Sequence, residues 1–123
     1  MVCGLIWRPI ETGNGKRDVE DASPYETVAD GPDGDEICRE ALETFGPESQ
    51  VMIAIEEMSE LTKELCKNGR GQENTTHIAE KIADVEIMLQ QMVMLFDCAG
   101  QVDKFRRYKL ERLAEMIKEK KHD

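Results

Sequence analysis

The sequence predicts an all-α protein, and three observations lead there. Aromatic residues are few, with one Trp, two Tyr and three Phe. Met, Leu, Ile, Ala, Glu and Lys are common instead, which is helix-former chemistry without the β-branched, turn-punctuated runs of an all-β domain. From Asp35 onward apolar residues recur at helical spacing in four segments, interrupted by Gly46-Pro47, Asn68-Gly69-Arg70-Gly71 and Gly100. Such short connections favour antiparallel neighbours, so the expected architecture is an antiparallel four-helix bundle. A chain of 123 residues holds one such core and not two.

Residues 1–34 read as an irregular or partly disordered arm, and residues 35–123 as the helical domain. Gly13-Asn14-Gly15, Ser23-Pro24 and Gly31-Pro32-Asp33-Gly34 leave the arm little to bury. The first helix runs from Asp35 to about Phe45, with Ile37, Ala41, Leu42 and Phe45 on one side, and ends at Gly46-Pro47. Pro47 suits the first turn of a second helix reaching about Lys67. Its apolar stripe is Val51, Ala54, Ile55, Met58, Leu61 and Leu65, with a glutamate cluster on the flank. A third helix starts near Asn74-Thr75-Thr76, any of which can cap it. Its stripe is Ile78, Ile82, Val85, Leu89, Met92 and Phe96. Ile87, Met88, Met94 and Leu95 add apolar surface off that stripe, which points to a second subunit. Gly100 is expected to end this helix, and a basic fourth helix to run from about Gln101 to Glu119.

The net charge of −10 argues against a nucleic-acid-binding surface, which requires a basic stripe. The charge is uneven, with balances of −5 over residues 1–35, −9 over 36–103 and +4 over 104–123. An acidic body with a basic final helix can hold a metal at one wall and a polyphosphate at the other. Cys3, Cys38, Cys66 and Cys98 form no CxxC pair and read as buried small hydrophobes in a reducing compartment. No stretch reaches the length of a membrane span, and Arg8-Pro9 stops the short apolar run at Met1–Trp7. The expected location is cytoplasmic.

Two acidic helical patches carry the chemistry. The first is Glu56-Glu57-Met58-Ser59-Glu60 with Glu64 one turn on, and the second is Glu80-Lys81-Ile82-Ala83-Asp84. Glu57, Glu60 and Glu64 fall within about 60° of one another on a helix, and Glu80 and Asp84 share a face at i,i+4. Like charges so placed weaken an isolated helix by about 0.2–0.5 kcal/mol per pair. A cluster of hard oxygen ligands accepted twice suits Mg²⁺, and Mg²⁺ suits phosphate chemistry. The competing reading of any single glutamate is a solvated face. His77 reads as an exposed first-turn residue and the methionines as core filler.

Glu57-x-x-Glu60, followed after residues 61–79 by Glu80 and Asp84, resembles the signature of the MazG-type all-α nucleoside triphosphate pyrophosphohydrolases. There an EExxE helix precedes an ExxD helix. The resemblance spans residues 36–118 and includes the phrases Gln50-x-x-Ile53-Ala54-Ile55-Glu56-Glu57-Met58-Ser59-Glu60-Leu61 and Ile82-Ala83-Asp84-Val85-Glu86-Ile87-Met88-Leu89. It implies hydrolysis of a nucleoside triphosphate between its α and β phosphates, giving the monophosphate and pyrophosphate. It also implies Mg²⁺ held by four carboxylates, and a homodimer or homotetramer of four-helix units. Glu57 and Glu60 match the ExxE ligands and Asp84 the aspartate of ExxD, while Lys104, Lys109 and Arg112 lie where the family carries phosphate-contacting cations.

Lys81 departs from the pattern, because it stands where ExxD places a glutamate. Either Glu80, about 40° from Asp84 around the helix, takes over the fourth metal position, or a ligand is lost. In the second case the chain is a catalytically weakened helical binding or regulatory module. A lysine there can still aim its ammonium at a phosphate. Phosphoryl transfer needs charge neutralisation and a positioned water more than covalent help from the protein. A carboxylate not consumed by metal can orient that water as general base, and the candidates are Glu57 and Glu60.

Overall fold

The computed structural model describes residues 33–122 and is all-helical there, with no strand among the described residues. The helices are α1 (Gly34–Phe45), α2 (Pro47–Gly69), α3 (Thr75–Leu95) and α4 (Ala99–Lys121). The chain divides into two compact units, the first ending at Met92 and the second, which carries α4, beginning at Val93. The arm expected over residues 1–34 lies outside the described residues up to position 32. Asp33 and Gly34 are described and belong to the start of α1.

Local chemistry explains the helix ends. The Asp33 side chain accepts a hydrogen bond from the Asp35 N–H at 3.1 Å, capping α1, and Asp35 and Glu36 sit in its first turn, where the helix dipole favours acids. Gly46 takes φ 91°, which a side chain would strain, and its N–H closes α1 onto the Leu42 carbonyl. Pro47 then opens α2 at a position that needs no N–H donor. Gly71, at φ 101°, turns the chain after α2. Of the three cap candidates before α3, Asn74 supplies its carbonyl to the Ile78 N–H, but its side-chain amide is committed to Glu64. The far end of α3 departs from expectation. Asp97, at φ 51°, ends it, with Cys98 N–H bonded to the Val93 carbonyl, and Gly100 lies inside α4. Aspartate is one of the few non-glycine residues that tolerates this left-handed backbone.

The faces that α2 and α3 bury differ from the apolar stripes of the sequence. On α2 the buried residues are Gln50, Ile53, Ala54, Glu57 and Glu64, and on α3 they are Asp84, Met88 and Gln91. Ile55, Met58 and Leu65 on α2, and Ile82, Leu89 and Phe96 after them, are exposed. The glutamates are therefore on the buried face of α2 rather than its flank. The polar groups can sit inside because they meet partners across the helix pair, as buried polar groups must.

The apolar core of the first unit is small: Ile53, Ala54 and Met88, with Met92 packed against them. Fully burying Ile53 and Met88 contributes about 1.5–3 kcal/mol each. Near one end of α3, α1 rests on it through Gln90 Nε2, which donates to Asp35 Oδ1 at 2.6 Å, and through buried Cys38, whose thiol points at the Ile87 carbonyl at 3.9 Å. Burial, then the charge of Asp35, pushes the Cys38 thiol above its ordinary pKa. Among the described residues, the expectation of buried cysteines holds for Cys38 alone. Cys66 is exposed, Cys98 is half-buried, and Cys3 lies outside the described residues.

In the second unit, every residue of α4 is exposed, including Val102, Phe105, Leu110, Leu113, Met116 and Ile117. Among the described residues no helix is long and apolar enough to cross a membrane.

Candidate functional site

The site is built on an antiparallel register between α2 and α3 in which polar residues recur every seven positions. Gln50, Glu57 and Glu64 on α2 meet Gln91, Asp84 and His77 on α3. At the first rung, Gln50 Nε2 donates to Gln91 Oε1 at 2.6 Å, with both side chains buried. Next come Ile53 and Ala54 against Met88. The middle rung is the acidic cluster. At the last rung, Glu64 accepts from Asn74 Nδ2 at 2.7 Å and pairs with Lys67 at 3.4 Å, with His77 at 3.9 Å. Seven residues make nearly two helical turns, so each heptad returns to the same seam.

At the middle rung, Glu57, Glu60 and Asp84 converge on one cation, the ammonium of Lys81. Lys81 Nζ lies 2.7 Å from Glu60 Oε1, 3.4 Å from Asp84 Oδ2 and 3.8 Å from Glu57 Oε1. The side chains are largely withdrawn from water, with exposures of 17% for Lys81, 4% for Glu57, 10% for Asp84 and 31% for Glu60. Glu57 Oε1 is buried and accepts no hydrogen bond. Burial, then the negative charges of Asp84 and Glu60, push the Glu57 carboxyl up to about 7, against the opposing pull of Lys81. A hydrogen bond to Asp84 helps hold its proton.

Of the residues expected to form the site, Glu57, Glu60 and Asp84 come together. The α3 residue that joins them is Lys81, and Glu80 is half-buried one position before it. Glu56 is half-buried, and Glu64 belongs to the neighbouring rung. The hydrogen bond from Asn74, with help from the Lys67 ammonium, holds the Glu64 carboxyl below its ordinary pKa. Lys67 is paired with Glu64. Lys104, Lys109 and Arg112 are exposed along α4 in the second unit. A groove on that helix is lined by Tyr108, Glu111, Arg112, Glu115, Met116 and Glu119. All six come from one helix face, so it is a furrow between neighbouring side chains rather than a cavity.

The donor set suits Mg²⁺ by type: three carboxylates from two helices, one with a buried oxygen that accepts no hydrogen bond. The present arrangement suits it less well. Among the described residues no group of three or more His, Cys, Asp and Glu side chains is disposed to hold a metal ion. The reason is visible at the centre of the cluster, where distances of 2.7–3.8 Å to Lys81 are those of an ammonium with its counter-ions. Mg²⁺ draws its oxygens to about 2.0–2.1 Å.

The Gln50–Gln91 rung and the lysine at the centre of the cluster were the parts of the site that sequence reasoning missed. The signal for the Gln50–Gln91 rung is the polar heptad itself, running 50, 57, 64 on one helix and 77, 84, 91 on the next. Comparisons with models of known protein families, with curated proteins and with solved structures found no match to the chain.

Proposed function

We propose that the chain is an Mg²⁺-dependent nucleoside triphosphate pyrophosphohydrolase of the MazG type, cleaving NTP or dNTP to the monophosphate and pyrophosphate. The observation that carries this reading is the convergence of Glu57, Glu60 and Asp84 from two antiparallel helices around one cation position. Mg²⁺ bound there would neutralise phosphate oxygens and acidify a water. Glu57, Glu60 and Asp84 would hold it, with Glu80 as the nearest further carboxylate on α3. Glu57 and Glu60 are the two candidates to orient that water, and Glu57 is the more buried of them. Glu60 is more exposed and paired at 2.7 Å with Lys81, which suits it to binding rather than proton transfer. The family resemblance assigns phosphate contacts to Lys104, Lys109 and Arg112, and all three are solvent-accessible. The exposed apolar residues of α2, α3 and α4 support assembly as a homodimer or homotetramer. The setting is nucleotide pool cleansing in the cytoplasm.

A second reading is favoured by Lys81. A chain whose carboxylates already enclose their own cation is a catalytically weakened scaffold serving as a binding or regulatory module. Thermal melting with Mg²⁺ and a non-hydrolysable nucleoside triphosphate separates the two. Joint binding of metal and nucleotide raises the melting temperature by mass action, whereas a vestigial site leaves it unchanged.

A further inference from the structure

We infer that the open face of the α2–α3 pair is an interface between two copies of this chain, each presenting the same face to the other. Ile55, Met58 and Leu65 on α2, and Ile82 and Leu89 on α3, are each 43–51% exposed. Viewed along each helix from its N-terminus, both sets lie about 100° round from the buried seam, in the same sense. Because the helices run antiparallel, that brings them to one side of the pair, where they form a single apolar face. Helix α1 rests on the opposite side, since it meets α3 at the Ile87 carbonyl and at Gln90, which lie the other way round the helix. The hydroxyls along the open face are spent on their own helix: Ser59 Oγ donates to the Ile55 carbonyl at 3.0 Å and Thr62 Oγ1 to the Met58 carbonyl at 2.9 Å. No residue is charged over the arc of about 80° from Leu65 to Ile55 on α2, or over that from Met92 to Ile82 on α3. In a chain that is 34% charged, such a face is not an ordinary solvated surface.

Charge and size identify the occupant. Two copies carrying −10 each repel one another, so they meet most readily through a surface that carries no charge. Helix α4 is the other long apolar surface left exposed, but it matches this face poorly. Arg106, Lys109 and Lys120 fall within about 30° of the middle of its Val102 to Ile117 stripe. On a charge-free face those cations would be buried without counter-ions. From Val51 to Leu65 the open face is about 20 Å long, and with helix axes roughly 8–10 Å apart it is about 20 Å wide. That is on the order of 400 Å² in outline on each copy before side-chain relief is added, so two such faces approach the roughly 1,000 Å² that a specific interface needs. This inference uses no carboxylate of the acidic cluster and is independent of the hydrolase reading.

Sedimentation velocity of the full chain over a range of concentrations tests this. The natural chain should reach the mass of at least two 14.0 kDa chains. Leu89→Glu and, separately, Thr62→Glu should each raise the dissociation constant at least tenfold. Thr62 is exposed and belongs to no core, so its variant decides the matter should Leu89→Glu fail to fold, with far-UV circular dichroism as the check on folding. Leu113→Glu on α4 should leave the dissociation constant unchanged. Raising the salt from about 0.05 to about 0.5 M should tighten the dimer, because screening relieves the repulsion between like-charged copies. A monomer at every concentration overturns the inference, as does an assembly indifferent to both face variants. So does an assembly weakened by salt and by Leu113→Glu, which would make the basic α4 the surface through which copies meet.

Discussion

Lys81 and Glu60 face each other across the α2–α3 seam with 2.7 Å between ammonium and carboxylate. Lys81 Nζ also lies 3.4 Å from Asp84 Oδ2 and 3.8 Å from Glu57 Oε1. In a partly buried setting, removing one partner leaves the others uncompensated, which costs more than an exposed ion pair contributes.

Replacing Lys81 by Met should therefore destabilise the chain at pH 8 in EDTA by on the order of 3 kcal/mol. Urea unfolding followed by circular dichroism measures this. A midpoint equal to that of the natural chain would show that the lysine is only a spectator among the carboxylates.

Glu57 sets a distinct pH dependence. Its carboxyl is raised in the folded state to about 7 from an ordinary value of 4.5, so between those limits the folded chain binds a proton that the unfolded chain releases. Its contribution is thus fully present below pH 4.5 and lost as pH rises to about 7. Glu57→Gln, which mimics the protonated acid, should match the natural chain at pH 4.5 and exceed it in urea midpoint at pH 8 without metal. A gap that is constant across this range would contradict the assignment.

Glu64 behaves in the opposite sense. Its carboxyl is held below 4.5, first by the hydrogen bond from Asn74, so its contribution is present above that value and lost as pH falls through the lower folded one. Asn74→Ala should lower the urea midpoint at pH 7, and the difference from the natural chain should shrink at pH values below 4.5. A difference independent of pH would place the effect of Asn74 in the α2–α3 turn rather than in Glu64.

The Gln50–Gln91 rung gives a test of polar burial free of any catalytic assumption. Gln50 Oε1 is buried with no hydrogen-bond partner, so the rung is only partly satisfied. Gln91→Leu strands the Gln50 amide and should cost about 1–3 kcal/mol, whereas Gln50→Leu with Gln91→Leu should recover most of that loss. Additive losses in the double variant would mean that the two amides do not act as a pair.

Much of the backbone was legible in the sequence, because helix ends depend on local chemistry. Gly46-Pro47 and Gly71 stop and start helices where a positive φ or a missing N–H is needed, and these boundaries follow from residue type. Asp97 escaped because Gly100 nearby offered a more ordinary stop, yet the chain makes its left-handed turn three residues earlier. The helix faces were less legible. Periodicity assigns Ile55, Met58, Leu65, Ile82 and Leu89 to the inside, but the chain buries Gln50, Glu57, Glu64, Asp84 and Gln91. Hydrophobic spacing identifies a surface that avoids water, and in an assembling chain that surface can await another subunit. Spacing put Glu57 with Glu60 on one helix face and Glu80 with Asp84 on another, and it was the family resemblance that joined Glu57, Glu60 and Asp84 into one set. The role of Lys81 as their counter-ion was not, since sequence fixes its helix position but not what its head group meets.

The most direct test of the central claim is pyrophosphate release from a panel of canonical and modified NTPs and dNTPs, with Mg²⁺ and with EDTA, in the natural chain, Asp84→Ala and Lys81→Glu. The account predicts EDTA-sensitive production of monophosphate and pyrophosphate that is lost in Asp84→Ala. It also predicts that Lys81→Glu, which supplies the glutamate that the ExxD pattern places there, is at least as active as the natural chain. No turnover of any substrate by any of the three proteins, each shown to be folded, would contradict it.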